Sequence, residues 1–228
     1  MTGKTNEILK NLKQLTSSVI LFHSATGKDS IVLLDLLIKR GFKVQPVFMY
    51  LVKGLSFIEN YITYAEKKYN VKFIQVPHYA LSAYIKNGTF GIKKDPKQKI
   101  FKLSEINDSV CRQFKIKWTV TGFKKFDSME RRIMLNELKD SIQYKTCKCY
   151  PLADWTNKEC LSYIENNRLI RPILMGKTNQ RSTDMPLNDD NFLIDLNKRY
   201  PQDMKKIITI FPEVEALLYL AYENEKEI

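Results

Sequence analysis

Between Ser18 and Val76 the sequence alternates short β-branched runs with longer amphipathic ones, and that alternation admits few folds. Ser18–Phe22 (SVILF) is a continuous apolar run, as a strand shows when both of its faces are covered. Ser30–Ile38 (SIVLLDLLI) is apolar on most sides and stops at Arg40-Gly41, which reads as a buried helix with a glycine terminator. Lys43–Tyr50 predicts a second strand, Phe57–Tyr69 a second helix and Val71–Val76 a third strand. Strands and helices in this order are joined by crossovers, which make a parallel sheet with helices on its faces.

The flanking residues extend the pattern. Ile8, Leu9, Leu12 and Leu15 recur at helical spacing, so Asn6–Leu15 predicts a helix ahead of the first strand. Tyr79–Lys86 predicts another helix, and residues 87–99 (NGTFGIKKDPKQK) an exposed loop. Ser104–Lys115 follows as a helix with Ser104 as N-cap, then Trp118–Thr121 as a fourth strand ended by Gly122. Asp127–Leu138 reads as a loop passing into a helix. Thr156 and Glu159 form an S/T-x-x-E capping box at the start of a helix over Thr156–Asn166. The last third predicts helices at Asn191–Tyr200, Gln202–Ile210 and Glu213–Asn224, with Pro201 and Pro212 as first-turn prolines. The expected fold is therefore α/β: a Rossmann-like open, mainly parallel sheet with helices on both faces and a helical C-terminal extension.

Composition narrows the partners. With 228 residues, 44% of them apolar, the chain can bury a core without disulfide or metal staples. No apolar run reaches the ~18 residues of a membrane span. The N-terminal MTGKTNEILKNLKQLTSS lacks a continuous apolar segment, so no signal peptide, no membrane association and a cytoplasmic location are expected. Four cysteines do not make a disulfide framework in a chain of this size. Cys147-x-Cys149 would place both thiols on one face of a strand. A metal or iron–sulfur site needs about four ligands, however, and Cys111 is the one further candidate, because Cys160 fits the apolar pattern of its helix. No such cluster is expected. Lys and Arg outnumber Asp and Glu by 37 to 25, a net charge of +12. That balance favours polyanions, either nucleotides or nucleic acid, and it also suits a plainly solvated surface.

The segment after the first strand carries the strongest chemical signal. Ser24-Ala25-Thr26-Gly27-Lys28-Asp29-Ser30 links a buried strand to a buried helix, which gathers free N–H groups and the positive end of a helix dipole. Gly27 permits close backbone approach to a phosphate, and Lys28 adds charge. Asp29 either caps the helix or holds a magnesium ion that bridges phosphates. The same residues also suit an ordinary capped turn. A Walker A loop is excluded, because Asp29 follows Lys28 and no glycine stands five residues before Gly27. Thr2-Gly3-Lys4-Thr5 has no strand before it. His23 either faces the loop or packs in the core.

This loop resembles the S-G-G-x-D-S loop of the adenine nucleotide alpha-hydrolase (ATP pyrophosphatase) superfamily. The resemblance is to the branch that contains the phosphoadenosine phosphosulfate (PAPS) reductases and the ATP sulfurylase small subunit. Residues 121–128 (TGFKKFDS) with Arg131-Arg132 are similar to the family's post-strand glycine, basic pair and D-S-x-x-R segment. Residues 150–156 (YPLADWT) are similar to its Y-P-[IL]-x-[DE]-W-T segment, and Arg171-Pro172 also fits. The likeness covers roughly residues 17–175. Ala25 and Thr26 depart from it, standing where the family has Ser and Gly. PAPS reductases also use a C-terminal cysteine, and residues 161–228 hold none.

The resemblance implies a nucleotide-binding domain over residues 1–175, with residues 176–228 as a helical extension packed on it. Its ligands would be ATP or a PAPS-like nucleotide and Mg2+. Lys28, Asp29 and Arg132 would be catalytic, with Asp29 placing the magnesium. Ser24, Thr26, Gly27, Ser30, Gly122, Lys124, Lys125, Asp127 and Arg131 would contact the nucleotide. Ser24 would supply the hydroxyl that Ala25 lacks, and Arg131 or Arg132 would neutralise the leaving group. The implied reaction is ATP-dependent adenylyl transfer with pyrophosphate release, linked to sulfur metabolism or to sulfur modification of nucleic acid. The alternative is a catalytically impaired module that holds a nucleotide or nucleic acid and recruits a protein partner. The cations at 124, 125, 131 and 132 would lie at the carboxyl edge of the sheet, where open α/β folds bind ligands. A solvated surface is their other reading.

Overall fold

The computed structural model describes residues 3–24, 27–173 and 185–226. Its strands are β1 (Ser18–Phe22), β2 (Lys43–Tyr50), β3 (Ile74–Pro77), β4 (Thr119–Val120), β5 (Ile142–Gln143) and β6 (Lys148–Cys149). They form one sheet in the order β3-β2-β1-β4-β6-β5, parallel throughout except that β5 runs antiparallel to β6. The helices are α1 (Gly3–Leu15), α2 (Lys28–Lys39), α3 (Ser56–Tyr69), α4 (Tyr79–Asn87), α5 (Leu103–Phe114), α6 (Met129–Asn136) and α7 (Asn157–Asn166). Three more close the chain: α8 (Asp190–Arg199), α9 (Pro201–Ile210) and α10 (Glu213–Lys226). This is the open, mainly parallel α/β sheet that the alternation predicts. None of the described helices is long and apolar enough to cross a membrane.

The middle strand explains why SVILF is apolar at successive positions. Val19 and Leu21 belong to the large core built with α2 and α3, whereas Ile20 packs on the opposite face with Val47 and with Val110 of α5. Successive side chains of a strand point to opposite faces, so a strand covered on both sides needs apolar residues at every position. α2 ends as expected, with Gly41 at φ +71, the left-handed conformation that favours glycine after a helix.

Several boundaries differ from expectation. β3 starts at Ile74 instead of Val71, and the Phe73 N–H donates instead to the Glu66 side chain at 2.8 Å. Ser104 is not the cap of α5: the helix starts one residue earlier, and Glu105 accepts from the Lys102 N–H at 2.8 Å. Cys147 and Cys149 do not share a strand face. Cys147 is left-handed (φ 51) at the end of a 3-10 turn, and only Lys148 and Cys149 pair as strand. The α7 capping box is present, with Thr156 Oγ1 accepting from the Glu159 N–H at 3.2 Å. His78 caps α4 by accepting from the Ala80 N–H.

The three last helices contribute Phe192, Leu193, Leu196, Met204, Ile207 and Val214 to the same core as α2 and α3, and Phe211, between α9 and α10, joins them. They also complete α3 electrostatically. The residue before α3 is Leu55, which cannot cap a helix with its side chain. Asp203 of α9 does it instead, accepting from the Ser56 N–H at 2.7 Å and the Ser56 hydroxyl at 2.6 Å. Lys206 Nζ lies 3.0 Å from its other oxygen. Burial would push the Asp203 carboxyl up, but the Ser56 donors and the Lys206 ammonium outweigh it and hold it below the ordinary carboxylate range. Asp203→Ala leaves the partly buried Ser56 N–H without its charged acceptor. It is expected to cost about 2–3 kcal/mol in urea unfolding. A loss no larger than an exposed substitution causes would show that water caps α3 instead.

Candidate functional site

The sheet reverses direction between β1 and β4: β2 and β3 add on one side of β1, and β6 and β5 add beyond β4. The chain therefore leaves the carboxyl ends of β1 and β4 in diverging directions, opening a crevice where α/β sheets take their ligands. The segment after β1 is folded back on itself. The Ser24 N–H donates to Ser30 Oγ at 3.0 Å, and the Gly27 N–H donates to the Ser24 carbonyl at 2.8 Å. A Cβ at residue 27 would stand 3.0 Å from Ser24 Oγ and 3.1 Å from its Cβ. With φ at −77 the glycine is required for space and not for backbone conformation. Thr26, with Ala25, lies outside the described residues. Gly27 precedes the first residue of α2 and the helix has no side-chain cap, so Asp29 does not cap it.

Asp29 instead reaches across the crevice. Lys124 Nζ donates to Asp29 Oδ2 at 2.6 Å and lies 3.1 Å from Asp127 Oδ1. Asp127 Oδ2 accepts from the Lys124 N–H at 3.0 Å and from Arg131 at 2.8 Å. The Arg131 guanidinium also covers the Phe123 ring at 4.1 Å, and Phe123 stacks on Tyr150. Lys124 has 1% of its surface exposed. Burial alone would lower its pKa, yet the charges and hydrogen bonds of Asp29 and then Asp127 leave it above the ordinary lysine value. Burial likewise opposes the Asp127 charge, and the Lys124 N–H and ammonium with Arg131 win, holding that carboxyl low. Gly122 makes the approach possible: a Cβ there would meet Asp29 Cβ at 3.0 Å.

Around this ion pair lie groups with unfilled capacity. Asp29 Oδ1 is buried and without a hydrogen-bonding oxygen or nitrogen among the described residues; so is Thr121 Oγ1, in the residue before Gly122. Lys28 is buried, with Nζ 3.3 Å from Asp29 Oδ2. The Cys160 thiol of α7 lies against the same carboxylate, and burial first, then the Asp29 charge, push it up. His23 is packed in the core: its Nε2 is 3.0 Å from the Tyr61 hydroxyl, and burial lowers its pKa to about 3, so the ring is neutral.

The remaining basic residues are placed less centrally. Lys125 pairs with Asp154 at 2.8 Å and its N–H donates to the Ala153 carbonyl, so the YPLADWT segment holds it away from Asp29. Burial would raise the Asp154 carboxyl, and its bonds to Lys125 and Lys4 lower it. Trp155 of that segment donates to Thr5 Oγ1 at 2.7 Å, which fastens α1. Arg132 is exposed, with Nε 3.3 Å from the Lys125 carbonyl. Thr121 and Cys160 were not singled out in the sequence as site residues. A threonine ending a strand and a cysteine in an apolar helical pattern carry no local mark of what they face.

Lys124→Met removes the partner that both carboxylates share. It is expected to cost about 1.5–3 kcal/mol at neutral pH, because each carboxylate loses a charged hydrogen bond but keeps a second cation, Lys28 for Asp29 and Arg131 for Asp127. Asp127 is held low in the fold, so its contribution is present above the ordinary carboxylate pKa and is lost as pH falls through the depressed value. The gap between wild type and variant in urea unfolding should therefore narrow in acid. A gap independent of pH would show that the carboxylates are not the cause.

Comparison with known proteins places this geometry. Residues 19–181 match the family model described as the phosphoadenosine phosphosulfate reductase domain. None of the curated proteins matches the chain. Among solved structures, the chain is similar to an NH3-dependent NAD synthetase from Campylobacter jejuni subsp. jejuni NCTC 11168, in complex with the nitrate ion. The TM-score is 0.47 and the identity 13%, over 98% of this chain and 93% of that one. With a strand-reversal crevice on an open α/β sheet and a family match over most of its length, the chain belongs to the phosphoadenosine phosphosulfate reductase domain family, within the adenine nucleotide alpha-hydrolase superfamily.

Proposed function

We propose that the β1/β4 crevice binds ATP or a PAPS-like nucleotide and that, with ATP, it transfers the adenylyl group to an acceptor and releases pyrophosphate. The observation that carries this reading is the Asp29–Lys124–Asp127–Arg131 chain built on the buried Lys124, which joins the two loops of the crevice and leaves Asp29 Oδ1 unsatisfied. The first-turn N–H groups of α2 have no partner within their helix and bring partial positive charge to the same place. Such a site suits an anion that also offers hydrogen bonds.

The chemistry follows from those groups. An acceptor oxygen forms a bond to the α-phosphorus as the bond to the bridging oxygen breaks, and pyrophosphate leaves with that electron pair. The α2 N–H groups and Lys28 stabilise the charge on the transferring phosphoryl oxygens, as fixed dipoles and cations do in a site that excludes water. Of Arg131 and Arg132, Arg131 is already paired with Asp127, so the exposed Arg132 neutralises the leaving group. Lys124 positions Asp29 and Asp127, and its charge is already matched. Magnesium, when bound, would neutralise phosphate charge. No three His, Cys, Asp or Glu side chains of the described residues cluster to hold a metal unaided, so phosphates would supply most ligands and Asp29 Oδ1 the protein's share.

A second reading, a module that holds nucleotide without turnover, is favoured by Lys124, which already occupies Asp29 Oδ2. Calorimetry with ATP and PAPS, with and without magnesium, tests binding, and pyrophosphate release separates the two readings. Lys28→Ala and Asp29→Asn are each expected to weaken nucleotide binding about tenfold, the loss of one charged hydrogen bond. Unchanged affinity in both would remove the crevice from the reaction.

The chain is not expected to reduce PAPS with a thiol of its own. Burial pushes the Cys149 thiol up to about 12 and the Cys160 and Cys111 thiols up as well. Cys147 lies at the amino end of β6, across the sheet from the crevice. Sulfite release from PAPS in the presence of thioredoxin, abolished by Cys147→Ser, would contradict this.

A further inference from the structure

We propose that the acceptor at this crevice is a strand of nucleic acid, carried on a basic strip at the carboxyl edge of the sheet, in the segment ahead of α5. This rests on the reading of the crevice as a nucleotide-activating site. Between Lys86 and Lys117 the chain carries nine cations and three carboxylates, and six of those cations with one of the carboxylates, Asp95, fall in the 17 residues ahead of α5. Among the described residues, Lys99 is the one of those nine cations in an ion pair, with Glu105. The other eight are in no ion pair there.

Position gives the strip its direction. α5 leads into β4 at the amino end of that strand, and its Val110 packs on Ile20 of β1 and Val47 of β2. The helix therefore runs antiparallel to β1 and β4, and the lysine-rich segment before Leu103 lies at the carboxyl edge, where the crevice opens. That segment is tied down, since the Phe101 N–H donates to Ser82 Oγ at 2.9 Å.

Charge alone would describe a solvated face. The strip, however, also exposes Ile100, Phe101 and Leu103 among its lysines, with Phe101 40% exposed. The segment that leaves β4 exposes Phe126 (62%) and Met129 (66%) beside Arg131 and Arg132. Flat apolar side chains interleaved with cations suit bases and phosphates together. A small oxyanion such as sulfate has no use for the exposed aromatics. A lipid surface would be met by apolar groups without interleaved charge, whereas Phe101 stands between Lys99 and Lys102 and Phe126 directly after Lys125.

The test uses the full chain with a fluorescein-labelled oligoribonucleotide and the oligodeoxyribonucleotide of the same sequence, titrated by anisotropy over a range of salt. Whichever binds more tightly identifies the strand. Phosphatidylserine vesicles are the comparison. Lys93→Gln/Lys94→Gln/Lys97→Gln is expected to reduce the salt slope by about 2, at about 0.7 for each phosphate no longer neutralised. ATP affinity should be unchanged in that variant. Phe126→Ala is expected to weaken strand binding by about fivefold or more with little change in slope, as loss of a stacked base does. An unaltered slope in the triple variant, unaltered affinity in Phe126→Ala, or binding to vesicles but not to strands would overturn the proposal. Strand binding without ATP binding overturns the crevice reading and the acceptor assignment with it. ATP binding without strand binding overturns the acceptor assignment alone.

Discussion

An ammonium group with 1% of its residue's surface in water survives only where carboxylates surround it, and Lys124 has two. Desolvation of a single charge costs several kcal/mol, so the three groups stand or fall together. Asp29 belongs to the first turn of α2, which β1 launches, and Asp127 to the segment that β4 launches. The ion pair thus fixes the separation of the two sides of the crevice. It also demands Gly122, because a methyl group there would collide with Asp29. β4 pairs over only two residues on each side, so this contact adds to the few hydrogen bonds that hold the segment after β4 against α2.

The same contact decides what the crevice offers an anion. Asp29, Asp127, Lys124 and Arg131 together sum to no net charge, so Lys124 presents little field of its own. Attraction for phosphates then falls to Lys28, to the α2 dipole and to the exposed Arg132. Lys125, adjacent in sequence to the central lysine, is turned to Asp154 and serves the packing of α1 and the YPLADWT segment. Two neighbouring lysines of one motif therefore do different work, one bracing the crevice and the other bracing its surroundings.

Much of the fold was legible because its signals are local. β1 and β2 begin and end where the apolar runs do, and the Thr156–Glu159 box marks α7, since a buried run between turn residues and a reciprocal cap depend on a few consecutive residues. β5 escaped notice because a two-residue strand has no periodicity to read. Ser104 resembled a cap, but Glu105 reached the Lys102 N–H first and started α5 earlier. The site was half legible. Its two loops could be found by resemblance, but the pairing of Asp29 with Lys124, 95 residues apart, is set by strand order and leaves no trace in either segment. Asp29 was accordingly expected to cap α2 or hold magnesium, and Lys124 to meet nucleotide directly.

Asp203 has a consequence for how the protein is made. The first turn of α3 takes its cap from a residue 147 positions later in the chain. During synthesis at about 5–20 residues per second, roughly 7–30 s separate the appearance of Ser56 from that of its acceptor. Over that interval β1, α2, β2 and α3 can assemble from local contacts, but α3 has an open N-terminus and lacks the apolar cover of α8, α9 and α10. The nascent sheet is therefore a provisional structure that the last helices to be made convert into the finished one. A chaperone that recognises exposed apolar helix faces would find its binding site on this protein in that window, and would be displaced from it when α9 docks.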